Sequence, residues 1–213
     1  MSLGSAALTR RERESTVGLI LAGGLARRLG GGDKGLRRVG GRSVIERVLE
    51  RLGPQVDRIV VNANGDPARF AALGLPIVAD SLPDHPGPLA GVLAGLEWAA
   101  ANASAIEWVV SVPGDAPFLP LDLVARLQAA RGEAAMSCAA SGGRVHPVAA
   151  LWPVAARARL RDALASGLRK VGAFTAGAAI AEWPIDPVDP FFNVNTPEDL
   201  QEADRLAATL SPP

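Results

Sequence analysis

The sequence contains very little cysteine. Cys138 is the single cysteine in 213 residues, so the chain cannot form an internal disulfide or a metal site built from several thiolates. We expect Cys138 to be a small buried hydrophobic side chain. Such cysteine usage is typical of proteins of the reducing cytoplasm, which is the location that we predict.

Lysine is also scarce, and neither sign of charge is in excess. Only Lys34 and Lys170 are lysines among 22 basic residues, which 22 acidic residues balance to a formal net charge of +0. Proteins that bind nucleic acids or anionic membranes carry a basic excess. We therefore predict no nucleic-acid and no membrane partner, and we expect any anionic ligand to be held by local geometry.

Long apolar runs are absent as well. A membrane span needs about 18 consecutive apolar residues, and the sequence has no such run. Residues 1–15 contain three arginines but lack the apolar run of a signal peptide, so they are predicted to be a disordered leader. Hydrophobic residues make up 48% of the chain, enough for residues 16–213 to form one domain with a substantial core.

Short apolar runs alternate with segments of helical spacing along the first two thirds of the chain. The predicted strands are 17–21, 58–62, 76–79 and 108–112. The predicted helices are 43–52, 66–73, 89–101 and 120–131. This alternation predicts a single α/β domain of Rossmann-like type, with a mostly parallel sheet flanked by helices.

The last third of the sequence is less regular. Segments 134–140 and 146–152 predict two strands joined by a turn, followed by a helix over 154–166 and a strand over 178–183. A final helix is predicted from Pro197 to Leu210, because a threonine, a proline and two acids stand at its beginning.

A glycine-rich segment directly follows the first predicted strand. Its glycines and basic residues include Gly23, Gly24, Arg27, Arg28 and Lys34. Glycines let backbone N–H groups approach a phosphate, and basic side chains neutralise its charge. The flanking residues of Lys34 exclude a Walker loop, and the dinucleotide fingerprint G-x-G-x-x-G does not fit either. A phosphate-binding loop is favoured over a flexible surface loop.

Two further loops follow later strands, and ligands of open α/β sheets bind at such strand ends. The first begins at Asp80 and leads through Gly87 and Gly91 into a helix; these glycines would let a base or ribose approach the backbone. His85 in this loop is either a general base or an ordinary loop residue. The second loop carries Asp115, which suits a Mg²⁺ ligand or, alternatively, caps the next helix.

Asn193 and Asn195 precede the final helix. Because they are two residues apart, an extended segment places both side chains on the same side. Asparagine amides pair well with phosphate or with the edge of a pterin. Turn formation before the helix is the alternative interpretation.

The ordered set of these motifs resembles the molybdenum cofactor guanylyltransferase family. The motifs are Leu-Ala-Gly-Gly at 21–24, Arg28 with Gly30 and Asp33-Lys34, Asp80, Gly-Pro-Leu-Ala-Gly at 87–91, Pro-Gly-Asp at 113–115, His146-Pro147 and Asn-Val-Asn-Thr-Pro at 193–197. The resemblance covers about residues 17–210. It implies a nucleotidyltransferase fold and transfer of GMP from GTP to molybdopterin carrying molybdenum, with release of pyrophosphate.

The resemblance also implies roles for individual residues. The N-terminal half would bind GTP and Mg²⁺ through Leu21, Ala22, Gly23, Gly24, Arg28, Lys34, Asn62, Asp80, Gly87, Gly91 and Asp115. Among these, Lys34, Arg28 and Asp115 would be catalytic, and Asp115 would hold the Mg²⁺. The C-terminal half would bind molybdopterin, with Asn193 and Asn195 facing the pterin. Transient contacts with other molybdenum cofactor proteins are also implied.

Gly23 bears on the choice of base. Cytidylyltransferase relatives tend to have alanine here, whereas glycine leaves room for a purine, so guanine is favoured over cytosine. A departure from the family pattern is Ala26, where many relatives have serine. The alternatives are a related nucleotidyltransferase that uses CTP or another phosphate acceptor, and a non-catalytic carrier of pterin or nucleotide.

Overall fold

The computed structural model describes residues 14–23, 34–82 and 87–210. In this part of the chain, helices cover both faces of a central sheet. The strands are β1 (Thr16–Leu21), β2 (Arg38–Val39), β3 (Arg42–Ser43), β4 (Arg58–Asn62), β5 (Ile77–Val78), β6 (Trp108–Pro113), β7 (Ser137–Ser141), β8 (Arg144–Pro153) and β9 (Ala179–Trp183). The α-helices are α1 (Val44–Leu52), α2 (Pro88–Asn102), α3 (Leu123–Arg131), α4 (Arg157–Ala165), α5 (Val171–Phe174) and α6 (Pro197–Leu210).

Seven strands form the central sheet in the order β5-β4-β1-β6-β8-β7-β9. Strand β8 is antiparallel to both of its neighbours, whereas the other four pairings are parallel. The predicted α/β fold with a mostly parallel sheet is therefore confirmed. The strand order reverses between β1 and β6, and open α/β sheets bind ligands in the crevice at such a point.

The apolar residues of the helices bury both faces of the sheet. Ile45 and Val48 of α1 pack in one core with Leu123 and Leu127 of α3. Helices α2, α4 and α5 contribute to a second core that contains the fully buried Trp152 and the buried Cys138, as expected for this cysteine. A third, smaller cluster packs α6 against the β2–β3 hairpin. The two main cores hold the strand ends in place.

Several predicted elements agree with the structure and others do not. Strand 58–62 and helix 197–210 have the predicted bounds. Segment 66–73 was predicted to be a helix, and its residues Pro67–Leu73 form a 3-10 helix. Helix α3 begins three residues later than predicted. The β2–β3 hairpin was not predicted, although its turn contains Gly40 and Gly41, both with positive φ, as a two-residue hairpin turn requires.

Most of the predicted leader, residues 1–13, lies outside the described residues. Glu14, which follows them, contacts α3. Its carboxylate accepts a hydrogen bond from Arg131 at 2.9 Å, and its carbonyl oxygen accepts one from Gln128 at 2.7 Å. Among the helices that the structure describes, none has the length and apolar character needed to cross a membrane.

Candidate functional site

The carboxyl ends of β1, β4, β5 and β6 surround a cavity of about 360 Å³, here called the strand-end cavity. Its lining residues are Leu21, Gly23, Asn62, Asn64, Asp80, Gly87, Pro88, Pro113, Asp115 and Val148. Leu21 and Pro113 are the last residues of β1 and β6, so the cavity lies where the strand order reverses. A larger depression of about 430 Å³ lies between α2 and α4, and none of the predicted site residues lines it.

Asp80 is held by two asparagines from the end of β4. Asn62 donates to one carboxylate oxygen at 2.9 Å and to the carbonyl of Val78 at 3.2 Å. Asn64 donates to the other carboxylate oxygen at 2.7 Å, while its own amide oxygen accepts from the backbone N–H of Asp80 at 2.8 Å. The paired contacts of Asn64 fix both the backbone and the side chain of Asp80.

Three predicted glycines play different roles in the structure. A Cβ at Gly23 would have nothing within 4 Å, so this glycine leaves open space in the cavity. A Cβ at Gly91 would lie 2.2 Å from the amide oxygen of Asn62. Gly91 does not line the cavity, and its missing side chain makes room for Asn62 rather than for a ligand. Gly87 precedes α2 with φ 130°, a conformation suited to glycine.

Asp115 follows β6 on a turn that packs closely against β1. A Cβ at Gly114 would lie 3.1 Å from the carbonyl oxygen of Leu21, and the Gly114 N–H donates to that same oxygen at 2.9 Å. The backbone oxygen of Asp115 accepts from Val194 at 2.9 Å. These contacts connect the turn to both the first strand and the segment before α6.

Lys34 joins Asp115 to Asn195. Its ammonium group lies 3.7 Å from a carboxylate oxygen of Asp115 and donates a hydrogen bond to the amide oxygen of Asn195. Burial raises the pKa of Asp115, and the charge of Lys34 partly opposes this rise. Helix capping holds Asn195 in place, because its N–H and that of Thr196 both donate to Asp199 at 2.9 Å. Asp115 itself does not cap α3, which begins at Leu123.

The donor set around Asp115 suits one kind of metal binding. No group of three or more His, Cys, Asp or Glu side chains that could hold a metal occurs among the described residues. Mg²⁺ is commonly bound by one or two carboxylates together with substrate phosphates and water. The Asp115 carboxylate, which lines the cavity, therefore fits a Mg²⁺ ion that shares its ligands with a nucleotide.

A second cavity of about 210 Å³ lies on the other side of Asp115 and is called the hairpin cavity here. Its lining residues are Pro113, Asp115, Arg144, Val145, His146, Pro147, Val148, Ala149, Phe191, Asn193 and Asn195. The structure thus brings both asparagines of the predicted pair to one cavity. The buried Oδ1 of Asn193 has no hydrogen-bond partner among the described residues. An unpaired buried oxygen is costly, and a donor on a ligand would satisfy it.

A bulge in β8 separates the two cavities. Along β7 the pairing partner changes from Ala150 to His146 in one step, so 147–149 lie outside this ladder. Pro147 cannot donate to a ladder, and proline inside sheets is confined to bulges and edges. Bulges often occur beside active sites, where they redirect side chains. Val148, inside this bulge, lines both cavities together with Pro113 and Asp115.

Known proteins are similar to this chain in sequence and in fold. A family model described as a MobA-like NTP transferase domain matches residues 18–179. A protein named molybdenum cofactor guanylyltransferase from Rhodopseudomonas palustris (strain BisB5) is 57% identical over 201 residues, covering 92% of this chain and 96% of the relative. A protein of the same name from Nitrobacter hamburgensis is 55% identical over 198 residues, covering 91% and 95%. The chain belongs to the molybdenum cofactor guanylyltransferase family.

Membership of the guanylyltransferase family confirms the resemblance predicted from the motifs and makes this protein a nucleotidyltransferase. Solved structures share its fold. A molybdopterin-guanine dinucleotide biosynthesis protein A from Archaeoglobus fulgidus has a TM-score of 0.69 at 23% identity, covering 91% of this chain and 100% of that one. A 4-diphosphocytidyl-2C-methyl-D-erythritol synthase from Anaerococcus prevotii has a TM-score of 0.68 at 16% identity, covering 92% and 96%. The fold alone therefore does not decide the base.

Some predicted site residues of this guanylyltransferase family member lie outside the described residues. They are Gly24, Arg27, Arg28 and His85. Conversely, the sequence interpretation missed Asn64, which binds Asp80, and Val148, which lines both cavities. The sequence does contain a signal that could have identified Asn64, because this residue follows Asn62 by two positions at the end of a strand. Nothing in the local sequence around Val148 marks it as a wall between two cavities.

Proposed function

We propose that this protein transfers GMP from GTP to molybdopterin carrying molybdenum, forming the guanine dinucleotide cofactor and pyrophosphate. The observation that carries the proposal is that two cavities share Asp115, whose carboxylate lies 3.7 Å from the Lys34 ammonium group. One cavity has the strand-end position of a nucleotide site, and the other offers a separate place for a phosphate acceptor. The names of the relatives support guanine and molybdopterin as the two substrates.

The strand-end cavity would hold GTP. Gly23 leaves space beside the base, and the Asp80 carboxylate, fixed by Asn62 and Asn64, is an acceptor for the N–H donors of guanine or for ribose hydroxyls. Lys34 would neutralise the phosphates. Leu21, Ala22 and Gly23 would wrap the nucleotide, as the family resemblance implies, and Gly87 also lines the cavity.

The hairpin cavity would hold molybdopterin. Asn193 and Asn195 both line it, and the unpaired oxygen of Asn193 calls for a donor such as a pterin N–H. The amide oxygen of Asn195 already accepts a hydrogen bond from Lys34, the residue that would neutralise the phosphates. Asn195 would therefore lie nearer to the phosphates than Asn193. The N-terminal half would thus bind GTP and the C-terminal half the acceptor.

The reaction would need no nucleophile from the protein. The ionised phosphate of molybdopterin attacks the α-phosphorus of GTP, an O–P bond forms, and the bond to the β-phosphate oxygen breaks to release pyrophosphate. Lys34 and Arg28 would stabilise the charge that develops on the phosphates. Asp115 would hold Mg²⁺, which would supply further charge neutralisation at the phosphates. Asp115 and Asn195 orient the Lys34 ammonium group between the two cavities.

A substrate panel tests this function. The purified protein is incubated with Mg²⁺, molybdenum-loaded molybdopterin and each of the four NTPs, and the product and pyrophosphate are measured. We expect a guanine dinucleotide product from GTP and much less turnover of the other nucleotides. Equal or faster turnover of CTP, or transfer to another phosphate acceptor in preference to molybdopterin, would contradict the proposal.

Asp115→Ala separates an enzyme from a non-catalytic carrier. Removing the single carboxylate between the cavities is expected to lower kcat by about 10²–10³-fold, as loss of a group that stabilises developing charge does. GTP binding, measured by calorimetry without acceptor, should persist. A carrier would show no pyrophosphate release from the wild-type protein at all, and the variant would bind its ligands as the wild type does.

A further inference from the structure

Three side chains beside the hairpin cavity form a hydrogen-bonded chain that the reaction described above does not use. Ser141, at the end of β7, is 2% exposed. Its hydroxyl oxygen lies 2.8 Å from Nε2 of His146 on β8 and 2.8 Å from Oδ1 of Asp189. The same Asp189 oxygen accepts the backbone N–H of Phe191 at 2.9 Å. The serine therefore bridges the histidine and the carboxylate.

This order of residues is not that of a nucleophilic serine. A serine nucleophile gives its proton to a histidine, which a carboxylate orients in turn. Here the hydroxyl proton of Ser141 points to the Asp189 carboxylate, which has only acceptor atoms when ionised. The remaining partner of the serine oxygen is Nε2 of His146, so that nitrogen must carry a hydrogen and donate it. The arrangement fixes a tautomer rather than activating a nucleophile.

The fixed tautomer leaves Nδ1 of His146 as an acceptor. In a neutral imidazole one nitrogen donates and the other accepts. Burial lowers the pKa of His146, and Arg144 lowers it further, while Asp189 and Glu182 oppose the decrease, so the neutral ring is favoured near pH 7. Ser141 is the only hydrogen-bond partner of the ring among the described residues. The ring stacks on Phe191, with 4.7 Å between the centroids, and lines the hairpin cavity.

Two residues that line this cavity each have an acceptor atom without a donor among the described residues, namely Nδ1 of His146 and the buried Oδ1 of Asn193. Such a pair is complementary to a ligand edge that carries several N–H groups. The positive charge of Lys34 lies at Asp115, where the hairpin cavity meets the strand-end cavity. The two ends of the acceptor molecule would therefore be distinguished by the residues that each end meets.

We propose that Ser141 and Asp189 hold His146 as the Nε2–H tautomer, so that its Nδ1 accepts a hydrogen bond from the donor-rich edge of the acceptor's heterocycle and orients its phosphate toward Lys34. This inference rests on the proposed function for the identity of the acceptor. The tautomer itself does not depend on that function. His146 is a specificity-determining residue, and Ser141 and Asp189 are positioning residues that act through it.

The tautomer can be measured directly in the free protein. The chain has two histidines, His85 and His146, so His85→Gln leaves a single imidazole signal. Long-range ¹H–¹⁵N spectra of the ¹⁵N-labelled variant report which ring nitrogen carries the hydrogen. At a pH where the ring is neutral, we expect a protonated Nε2 and an unprotonated Nδ1. Adding Ser141→Ala should abolish this preference. A protonated Nδ1 in the His85→Gln protein would overturn the proposal.

Kinetics test the role in binding. Loss of one hydrogen bond of this kind corresponds to a decrease in affinity of about 5–10-fold. We expect Ser141→Ala and His146→Leu to raise KM for the acceptor by about this factor without changing the affinity for GTP. His146→Gln, which retains an acceptor oxygen, should recover part of the loss. The matched control is Ser137→Ala, which removes another buried hydroxyl of β7, bonded to the Leu127 carbonyl, and should not change KM for the acceptor.

The outcomes separate this inference from the proposed function. If the wild type does not transfer GMP to molybdopterin, the proposed function fails, whereas the spectra still decide the tautomer. If transfer occurs but folded His146→Leu has an unchanged KM for the acceptor, the inference fails alone. Should His146→Leu not fold, His146→Gln and Ser141→Ala carry the same test, since unchanged KM values for both would also contradict the proposal.

Discussion

The two cavities that meet at Asp115 are built from different kinds of sheet. The strand-end cavity lies at the ends of four parallel strands, and its polar side chains bind one another: Asn62 and Asn64 together occupy both oxygens of Asp80. The hairpin cavity lies beside an antiparallel pair with a bulge, and Oδ1 of Asn193 has no hydrogen-bond partner in the part of the chain that the structure describes. The first cavity is thus preorganised, whereas the second has unused hydrogen-bonding capacity.

This difference teaches how one chain can treat two substrates differently. A nucleotide site made of paired groups holds its carboxylate in a fixed direction before the substrate arrives, which lowers the cost of ordering on binding. Unpaired acceptors instead favour a ligand whose donors match them, because such groups are costly when left unsatisfied. Asp115 lines both cavities and Lys34 is paired with it, so loss of either residue should affect both substrates.

Lys34→Ala should have the largest effect in this comparison. Removing the charge at the junction takes away stabilisation of the phosphates, so kcat/KM should fall about 100-fold or more for GTP and for the acceptor alike. Lys34→Arg should restore part of the loss, because charge returns in a different geometry. Steady-state pyrophosphate release measures both. Arg205→Ala, which removes an exposed cation paired with Glu202 on α6, is the control that should keep full activity.

If Lys34→Ala affected only one of the two substrates, the lysine would act in one cavity alone. That result would contradict the proposal that Lys34 acts on GTP and on the acceptor alike. Unchanged affinity for GTP together with unchanged turnover would remove the basis of the nucleotide-site assignment.

Asn64→Ala should affect the strand-end cavity alone. It removes the two contacts that fix the side chain and backbone of Asp80, so we expect KM for GTP to rise about 10-fold, the equivalent of one hydrogen bond of about 1.4 kcal/mol. KM for the acceptor should not change. Asn102→Ala, which removes an amide bonded to Trp98 at the end of α2, is a matched control with no expected effect. A rise in KM for the acceptor instead would show that the two cavities are coupled.

Gly23→Ala and Gly91→Ala form a pair with opposite expected results. The new methyl group at Gly23 meets nothing within 4 Å, so the stability should be unchanged while GTP turnover falls, because the methyl occupies space for the base. At Gly91 it would lie 2.2 Å from Asn62, and the free energy of unfolding should decrease by about 1–3 kcal/mol. Thermal melts and GTP turnover of both variants provide the measurement. Equal GTP turnover for Gly23→Ala and the wild type would exclude a role near the base.

The sequence allowed the strand-end cavity to be predicted more fully than the hairpin cavity. The ends of β4 and β6, which line the strand-end cavity, follow from local patterns of apolar residues. The bulge in β8 depends on pairing between strands, and a shift of register leaves little trace in one strand's sequence. Likewise, Gly91 could be recognised as a special position, but not as the neighbour of Asn62, because that contact joins two distant segments.

Asp115→Asn should also change stability, and this is the smallest of the expected effects. It is separate from the loss of kcat that is expected when the Asp115 carboxylate is removed. Burial raises the native pKa of Asp115 against the opposing charge of Lys34, so folding disfavours the ionised form. Asp115 therefore contributes most to the stability of the wild type when its carboxyl group is protonated. This contribution declines as the pH rises from the pKa of aspartate in the unfolded chain, about 3.9, through the raised pKa in the native protein. Asparagine has no such cost.

In EDTA at pH 7, Asp115→Asn should accordingly melt above the wild type, by no more than about 4 °C, the shift that about 1 kcal/mol produces in a chain of this size. The difference should vanish below about pH 4, where both side chains are neutral. A variant less stable than the wild type at pH 7 would mean that the ion pair with Lys34 outweighs the burial of the carboxylate. In that case the charges of Lys34 and Asp115 would stabilise the junction between the two cavities. The alternative, which we expect, is that the buried charge of Asp115 is fully compensated only when substrate and metal are bound.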